Sequence, residues 1–160
     1  GRMERAKPHL VIAGEGTQAR KMKIQQWAKE AGVANRLHML GYRADIPNIL
    51  ASLSCLVLPS TAHEGIPQIV LQAQATGRPV VGTKVGGIPE VVKDGDTGLL
   101  VPSQNTEALA DALERVLKDK NLAHSLGRGG RAQSESNHSL DAMCNQLEIL
   151  YQRYLSGSNS

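Results

Sequence analysis

Glu64 is the side chain in this 160-residue sequence best placed to do chemistry. With Gly65 it follows an apolar run, Cys55-Leu56-Val57-Leu58, that stops at Pro59. It precedes a helical pattern in which Ile66, Ile69, Val70 and Ala73 recur at i, i+3, i+4 and i+7. Pro67 suits the first helical turn, where no N–H partner is required. A helix start after a strand end leaves backbone N–H groups free to face an anion such as a diphosphate. That anion would repel a neighbouring carboxylate. A functional Glu64 must therefore face a neutral, hydroxyl-rich part of the same ligand, such as a sugar. The simpler alternative is an acid that gains about 0.3–1 kcal/mol from the helix dipole, or merely caps the helix. His63, next to it, is either a structural neighbour or a direct participant.

A second loop repeats the arrangement. Gly77 closes the helix and Pro79-Val80-Val81 reads as a short buried strand. Val85-Gly86-Gly87-Ile88-Pro89-Glu90 then opens another short helix, a second place for an anion. Near the start of the chain, Gly14-Glu15-Gly16-Thr17-Gln18-Ala19 fits G-x-G-x-x-G/A. A dinucleotide site also wants an acid at the end of the next strand to hold ribose. That strand ends in Gly41-Tyr42-Arg43, so NAD and FAD are not expected. A tight strand-to-helix turn and a loop against another nucleotide ligand both remain open for Gly14 and Gly16. His9, His38, His124 and His138 are scattered without metal-ligand spacing, so no metal site is expected. Neither a G-x-S-x-G elbow nor a Walker-type loop occurs.

These loops need a scaffold of alternating strands and helices. Strands are predicted at Leu10–Ala13, Arg36–Leu40, Ser54–Leu58, Pro79–Val81 and Leu99–Val101. Helices are predicted at Thr17–Ala31, Asp45–Leu53 (capped by Asp45) and from Ile66 to Gly77. The rest is helical: Thr106–Leu117, a weaker segment at Leu122–Gln133 interrupted by Gly127, Gly129 and Gly130, and Leu140–Leu155. Residues 156–160 are expected to be a disordered tail. Such alternation builds βαβ units, so the expected fold class is α/β, a Rossmann-like parallel sheet flanked by helices. Ligands on such sheets lie at the carboxyl ends of strands, where Gly14–Gly16, Gly41–Arg43, Pro59–Gly65 and Gly82–Gly87 fall.

Composition narrows the function. The net charge of +3 (18 basic minus 15 acidic residues) is too weak to suggest nucleic acid. The four aromatics, Trp27, Tyr42, Tyr151 and Tyr154, make a base-stacking platform improbable. No apolar run is long enough for a membrane span and the charged N-terminus lacks a signal-peptide core, so a cytoplasmic setting is expected. Cys55, in a strand pattern, reads as a buried free thiol. Arg20, Lys21, Lys23 and Lys29 form a solvated helix face or a contact to anionic lipid.

Taken together these segments resemble the retaining, nucleotide-sugar-dependent glycosyltransferases of group 1, a B-type fold of two Rossmann-like domains. The resemblance is to their C-terminal, donor-binding domain. It rests on Val11-Ile12-Ala13-Gly14-Glu15-Gly16, Leu40-Gly41, Leu58-Pro59-Ser60, Glu64-Gly65-Ile66-Pro67 and Gly77-Arg78-Pro79-Val80-Val81. It continues through Gly86-Gly87-Ile88-Pro89-Glu90 and Asp94-Gly95-Asp96-Thr97-Gly98-Leu99-Leu100-Val101-Pro102. The resemblance implies that Glu64 is the first acid of an E-x7-E motif, lying against the donor sugar near its anomeric carbon. Gly65, Ile66 and Gln68 would offer backbone N–H groups to sugar and diphosphate, with Pro67 between them. Gly41, Tyr42 and Arg43 would lie near the nucleobase, and Gly14 and Gly16 would border the pocket; His63 is counted with them as a donor-binding candidate.

Two departures stand out. The second acid of the motif falls on Gln72, which keeps one carbonyl acceptor for ribose but loses the charge. Charge-assisted bonds are about twice as strong as neutral ones, so donor binding is expected to weaken by about 1–2 kcal/mol. The family's donor domain also starts with a strand ending in Gly-Arg and a nearby Lys. Gly1-Arg2 is similar, but too few residues follow before Leu10 for the usual helix, and Lys7 does not sit at the family's spacing. Residues 1–155 are thus expected to be a donor domain truncated at its N-terminal part, lacking the strand that is central in a 3-2-1-4-5-6 sheet. The resemblance implies transfer of a sugar from a nucleoside diphosphate sugar to a hydroxyl acceptor of a cell-surface polysaccharide or lipid-linked glycan. It implies no cofactor or metal, an acceptor held by a missing N-terminal domain, and peripheral membrane association of the whole enzyme at the inner face. The alternatives are a non-catalytic nucleotide-sugar-binding or interaction module and a nucleotide-sugar epimerase of the same architecture.

Overall fold

Leu10–Ala13 (β1) and Leu37–Gly41 (β2) form a parallel pair, with Leu10 opposite Leu37 and Ile12 opposite Met39. The computed structural model describes residues 7–62 and 65–157. The crossover between the two strands is the helix Gln18–Glu30 (α1) and a 3-10 turn at Ala34–Arg36. Thr17 starts α1: its hydroxyl accepts from the Arg20 N–H at 3.3 Å. Gly32, at φ +68°, supplies the left-handed residue that ends it. These elements make one compact unit, residues 1–49, and the helix Ile46–Ser52 (α2) runs across the division into a second unit, residues 50–160.

The second unit holds a three-stranded parallel sheet in the order β3 (Leu56–Leu58), β4 (Val80–Thr83), β5 (Gly98–Val101). Its helices are α3 (Gln68–Ala75), α4 (Ile88–Val91), α5 (Thr106–Lys118), α6 (Lys120–Asn137) and α7 (Leu140–Gly157). Every residue of β4 is buried, as a central strand covered on both faces requires. Val81, Leu99 and Val101 form a core with Ala112 and Val116 of α5 and Leu126 of α6. At the C-terminus of α3 the Gly77 N–H donates to the Gln74 carbonyl and the Arg78 N–H to that of Ala73, the double bond of a Schellman cap, with Gly77 at φ +67°.

The parallel α/β character stands, but the strands lie in two sheets, β1-β2 and β3-β4-β5, instead of one. Among the described residues β1 pairs only with β2 and β3 only with β4.

Several boundaries move for local reasons. α3 begins at Gln68 and not at Ile66, because a residue before proline is pushed out of the helical region and Pro67 itself is extended at ψ 113°. Ile66 is consequently exposed, and Val70, Ala73 and Gln74 carry the buried face. α6 is one continuous helix where the sequence suggested an interrupted one. Its glycines mark close approach: a Cβ on Gly127 would lie 2.2 Å from the Gly77 oxygen, and one on Gly129 2.4 Å from the Asp96 oxygen. α7 continues through Gly157, into the segment expected to be a disordered tail.

Candidate functional site

In the second unit the loop leaving β3 is tied to the sheet by two hydroxyls. The buried Thr83 at the end of β4 donates to the Ser60 carbonyl at 2.7 Å, and Ser103 donates to the same oxygen at 3.3 Å. This fixes the chain just ahead of α3. Among the described residues no side chain caps the start of α3. Its first backbone bond runs from the Val70 N–H to the Pro67 carbonyl at 3.0 Å, so the Gln68 and Ile69 amides precede it. An uncapped helix start combines free donors with the positive end of the dipole, the arrangement that binds phosphate. Gly65, Ile66 and Gln68 are exposed around it and Pro67 is buried beneath. Gln68 and Gln72, four residues apart, share one exposed helix side. His63 and Glu64 lie outside the described residues.

The second glycine loop has a different role from the one expected. The Ile88 N–H donates to the Val85 carbonyl, Pro89 has no N–H, and the Glu90 N–H donates to the Gly87 carbonyl. The first turn of α4, a helix of four residues, thus has its donors engaged. Gly87 instead lies against the loop before α3. A Cβ on Gly87 would come within 2.8 Å of the Gly65 oxygen and 3.0 Å of the Ile66 nitrogen. The second glycine loop, read from sequence as another anion place, instead supports the loop before α3.

In the first unit the Gly14 N–H donates to the Gly41 carbonyl at 2.8 Å. Gly14 sits at φ +126° and Gly41 at φ +66°, conformations that favour glycine. The turn after β1 and the exit from β2 are therefore one structure. Gly16 lies in the same turn, and Tyr42 is 74% exposed. Arg43 donates through Nε and Nη2 to the two oxygens of Asp45, at 2.7 and 2.6 Å. This pair holds the Arg43 guanidinium above its ordinary value and the Asp45 carboxyl below its own, mainly through the side-chain hydrogen bond. Asp45 was expected to cap α2. Its backbone carbonyl does accept from the Asn48 and Ile49 N–H groups, but its carboxylate is turned to Arg43, a stronger, charged donor two residues away.

The site residues thus form two groups: Gly14, Gly16, Gly41, Tyr42 and Arg43 in one unit, and Gly65, Ile66, Pro67, Gln68 and Gln72 in the other. Thr83 and Ser103 escaped the sequence reading, since no spacing marks a hydroxyl that meets a loop more than twenty residues away. On α1, Lys23 sits with its Nζ 4.9 Å from the centre of the exposed Trp27 ring, and Arg20 and Lys29 are exposed. A surface hollow of about 970 Å3 between α5 and α6, lined by residues including Asp111, Arg115 and Lys120, shares no residue with the site loops. Among the described residues no three His, Cys, Asp or Glu side chains gather as metal ligands, and no helix is long and apolar enough to cross a membrane.

Comparison with known proteins follows the same residues. The family model described as glycosyl transferases group 1 matches residues 2–119. Over 142 residues the chain is 32% identical to N-acetyl-alpha-D-glucosaminyl L-malate synthase of Bacillus anthracis, covering 89% of this chain and 36% of that protein. Over 113 residues it is 37% identical to the UDP-Gal:alpha-D-GlcNAc-diphosphoundecaprenol alpha-1,3-galactosyltransferase of Escherichia coli, covering 71% of this chain and 29% of that one. The chain spans about a third of the length of the curated relatives it matches. Among solved structures it is similar to the C-terminal domain of a glycosyl transferase group 1 family protein, LpcC, from Francisella tularensis. That match has a TM-score of 0.76 at 27% identity and covers 82% of this chain and 70% of that one. It shares its fold with Anabaena Alr3699/HepE, solved in complex with UDP, at a TM-score of 0.84 and 23% identity, over 91% of this chain and 41% of that one.

Proposed function

The chain belongs to the group 1 glycosyltransferases, and from that premise we propose that it holds the nucleoside diphosphate sugar from which such an enzyme transfers a sugar to a hydroxyl acceptor. The observation that carries the reading is the uncapped start of α3, placed at the carboxyl end of β3 and backed by Gly87. The amides there receive the diphosphate and stabilise it as it departs, an electrostatic contribution made by donors already in position. Glu64 orients the sugar and faces the positive charge that develops at the anomeric carbon, and His63 stands beside it. Gln72, one turn along α3 from Gln68, offers its carbonyl to ribose. For the first unit the family resemblance supports Gly41, Tyr42 and Arg43 as residues near a nucleobase and Gly14 and Gly16 as residues that border a donor pocket.

Transfer runs with retention of configuration and without a metal. The acceptor, a growing polysaccharide or lipid-linked glycan, meets residues outside these 160. The relatives named above include a UDP-Gal-dependent galactosyltransferase acting on a diphosphoundecaprenol-linked substrate, which supports a lipid-linked acceptor and work at the inner face of a membrane. The exposed Arg20, Lys23 and Lys29 of α1 suit a peripheral contact with anionic lipid. One observation favours a second reading, a module that binds nucleotide sugar without turnover: Gln72 replaces the charged partner of ribose.

Calorimetry with UDP-, GDP- and ADP-sugars tests the binding, and Glu64→Ala in the full-length protein tests the chemistry. Donor binding with turnover abolished by Glu64→Ala is the expected result. No binding at millimolar concentration would overturn the donor site, and an unchanged kcat in Glu64→Ala would remove Glu64 from the mechanism.

A further inference from the structure

We infer that Thr83 and Ser103 are positioning residues for sugar transfer: their hydroxyls close on one carbonyl, that of Ser60, and hold the loop that leads from β3 to α3. The inference rests on the donor-site reading above and adds to it two residues that no motif marks. Backbone pairing between β3 and β4 ends where Leu58 lies opposite Gly82. Ser60 is two residues past that last pair, and there side-chain hydroxyls take over. Thr83 donates to the Ser60 carbonyl at 2.7 Å and Ser103 at 3.3 Å. A carbonyl oxygen has two lone pairs, so the two hydroxyls fix the Ser60 peptide from two directions.

Each hydroxyl is itself held. Thr83 is the last residue of β4, buried and opposite Val101 of β5, and a β-branched side chain has few choices at χ1. Ser103 follows β5 in a turn set by its successors. Gln104 takes φ +58°, and the Asn105 side chain accepts from the Ala108 N–H at 2.9 Å to start α5. The far end of the loop has a separate support, because Pro67 is buried and Gly87 lies against the peptide that joins Gly65 to Ile66. The loop is thus held at Ser60 and again at Gly65, and Glu64 falls between these two points in the sequence. Losing the Ser60 clamp frees the first part of the loop and leaves the amides at the start of α3 supported. The clamp therefore acts on turnover more than on diphosphate binding.

The test measures three things on the full-length protein: kcat with its nucleotide sugar, the affinity for whichever of UDP, GDP and ADP it binds best, and a thermal melt. Thr83→Val and Ser103→Ala are each expected to lower kcat by about 2- to 5-fold, the scale of one neutral hydrogen bond. The two together are expected to lower it by about tenfold or more, the scale of an Å-size misplacement, with nucleoside diphosphate affinity changed far less. Thr83→Ser keeps the hydroxyl and is expected to keep most of the wild-type turnover, which a purely packing role for the threonine would not allow. Unchanged kcat in the double variant, a loss of affinity as large as the loss of kcat, or a Thr83→Ser protein as slow as Thr83→Val would overturn the inference while leaving the donor site standing. A wild-type protein that binds none of the three nucleotides would overturn both. Ser103 is only partly buried, so Ser103→Ala carries the test if Thr83→Val does not fold, and an unchanged kcat there would overturn the inference.

Discussion

Gly87 lies directly beneath the peptide that joins Gly65 to Ile66, so close that a Cβ on Gly87 would stand 2.8 Å from the Gly65 oxygen. The chain ahead of α3 therefore takes its position from a loop more than twenty residues further on. Gly87 is at φ −79°, so an alanine would fit its own backbone and clash only with the loop above. Gly87→Ala is expected to displace Gly65 and Ile66 and weaken nucleotide-sugar binding by about tenfold or more, since an Å-scale misplacement of positioning groups has effects of that order or larger. The check is calorimetry beside a thermal melt: affinity should fall far more than stability.

Gly127→Ala separates fold from site. Alanine in a helix interior normally gains about 1 kcal/mol over glycine. Here the added methyl would meet the Gly77 oxygen at 2.2 Å, inside the Schellman cap of α3. Overpacking costs about 1–3 kcal/mol, and a methyl this close to a backbone oxygen belongs at the upper end, so the packing term wins and a net loss of about 2 kcal/mol is expected. Urea unfolding reads it directly, and an equal or higher midpoint would show that α6 moves freely against α3.

Gln74 is wholly buried, and its Nε2 donates to the Val91 carbonyl at 2.7 Å, an oxygen that also receives Gln133 Nε2 at 3.0 Å. Gln74→Glu would aim a buried carboxylate at that carbonyl without a donor, and an uncompensated buried charge costs about 3–5 kcal/mol. The loss should be large at neutral pH and shrink in mild acid, where the new carboxyl protonates. Gln74→Met keeps the shape and leaves Val91 its bond to Gln133, so a change under about 1.5 kcal/mol is expected.

Burial pushes the Cys55 thiol from 9.0 up to about 11. A folded value raised above the unfolded one favours the neutral thiol in the native state. The stability this contributes is complete below pH 9 and is lost as pH rises through 11. Cys144 is exposed. Cys55 is partly buried and not the fully buried thiol the sequence suggested. A thiol reagent at about pH 8 should therefore modify Cys144 quickly and Cys55 more slowly. Two equally fast thiols would contradict the shielding of Cys55.

Most of the scaffold was legible because each element carries a local signal. β1, α1, β4 and α5 follow from apolar and helical patterning, and the structure keeps their bounds within two residues, with Thr17 as the cap of α1 and not its first residue. What escaped depends on partners far along the chain. Gly127 and Gly129 read as helix breakers because their purpose is set by the Gly77 and Asp96 oxygens. Nothing in the spacing marks Gln74 as buried, and only the fold supplies the Val91 carbonyl that its Nε2 donates to. Gln68 and Gln72 were singled out through the motif spacing and are both exposed on α3, whereas Asp45 was read as a cap because Asp before a helix has that meaning far more often than it pairs with an arginine.

The central claim is that a nucleoside diphosphate sits on the start of α3. The most direct measurement is amide chemical-shift mapping of the protein titrated with UDP. The account predicts saturable shifts at Gly65, Ile66, Gln68 and Ile69, with a second set at Gly41 to Arg43. Shifts confined to the hollow between α5 and α6, or none at millimolar UDP, would contradict it.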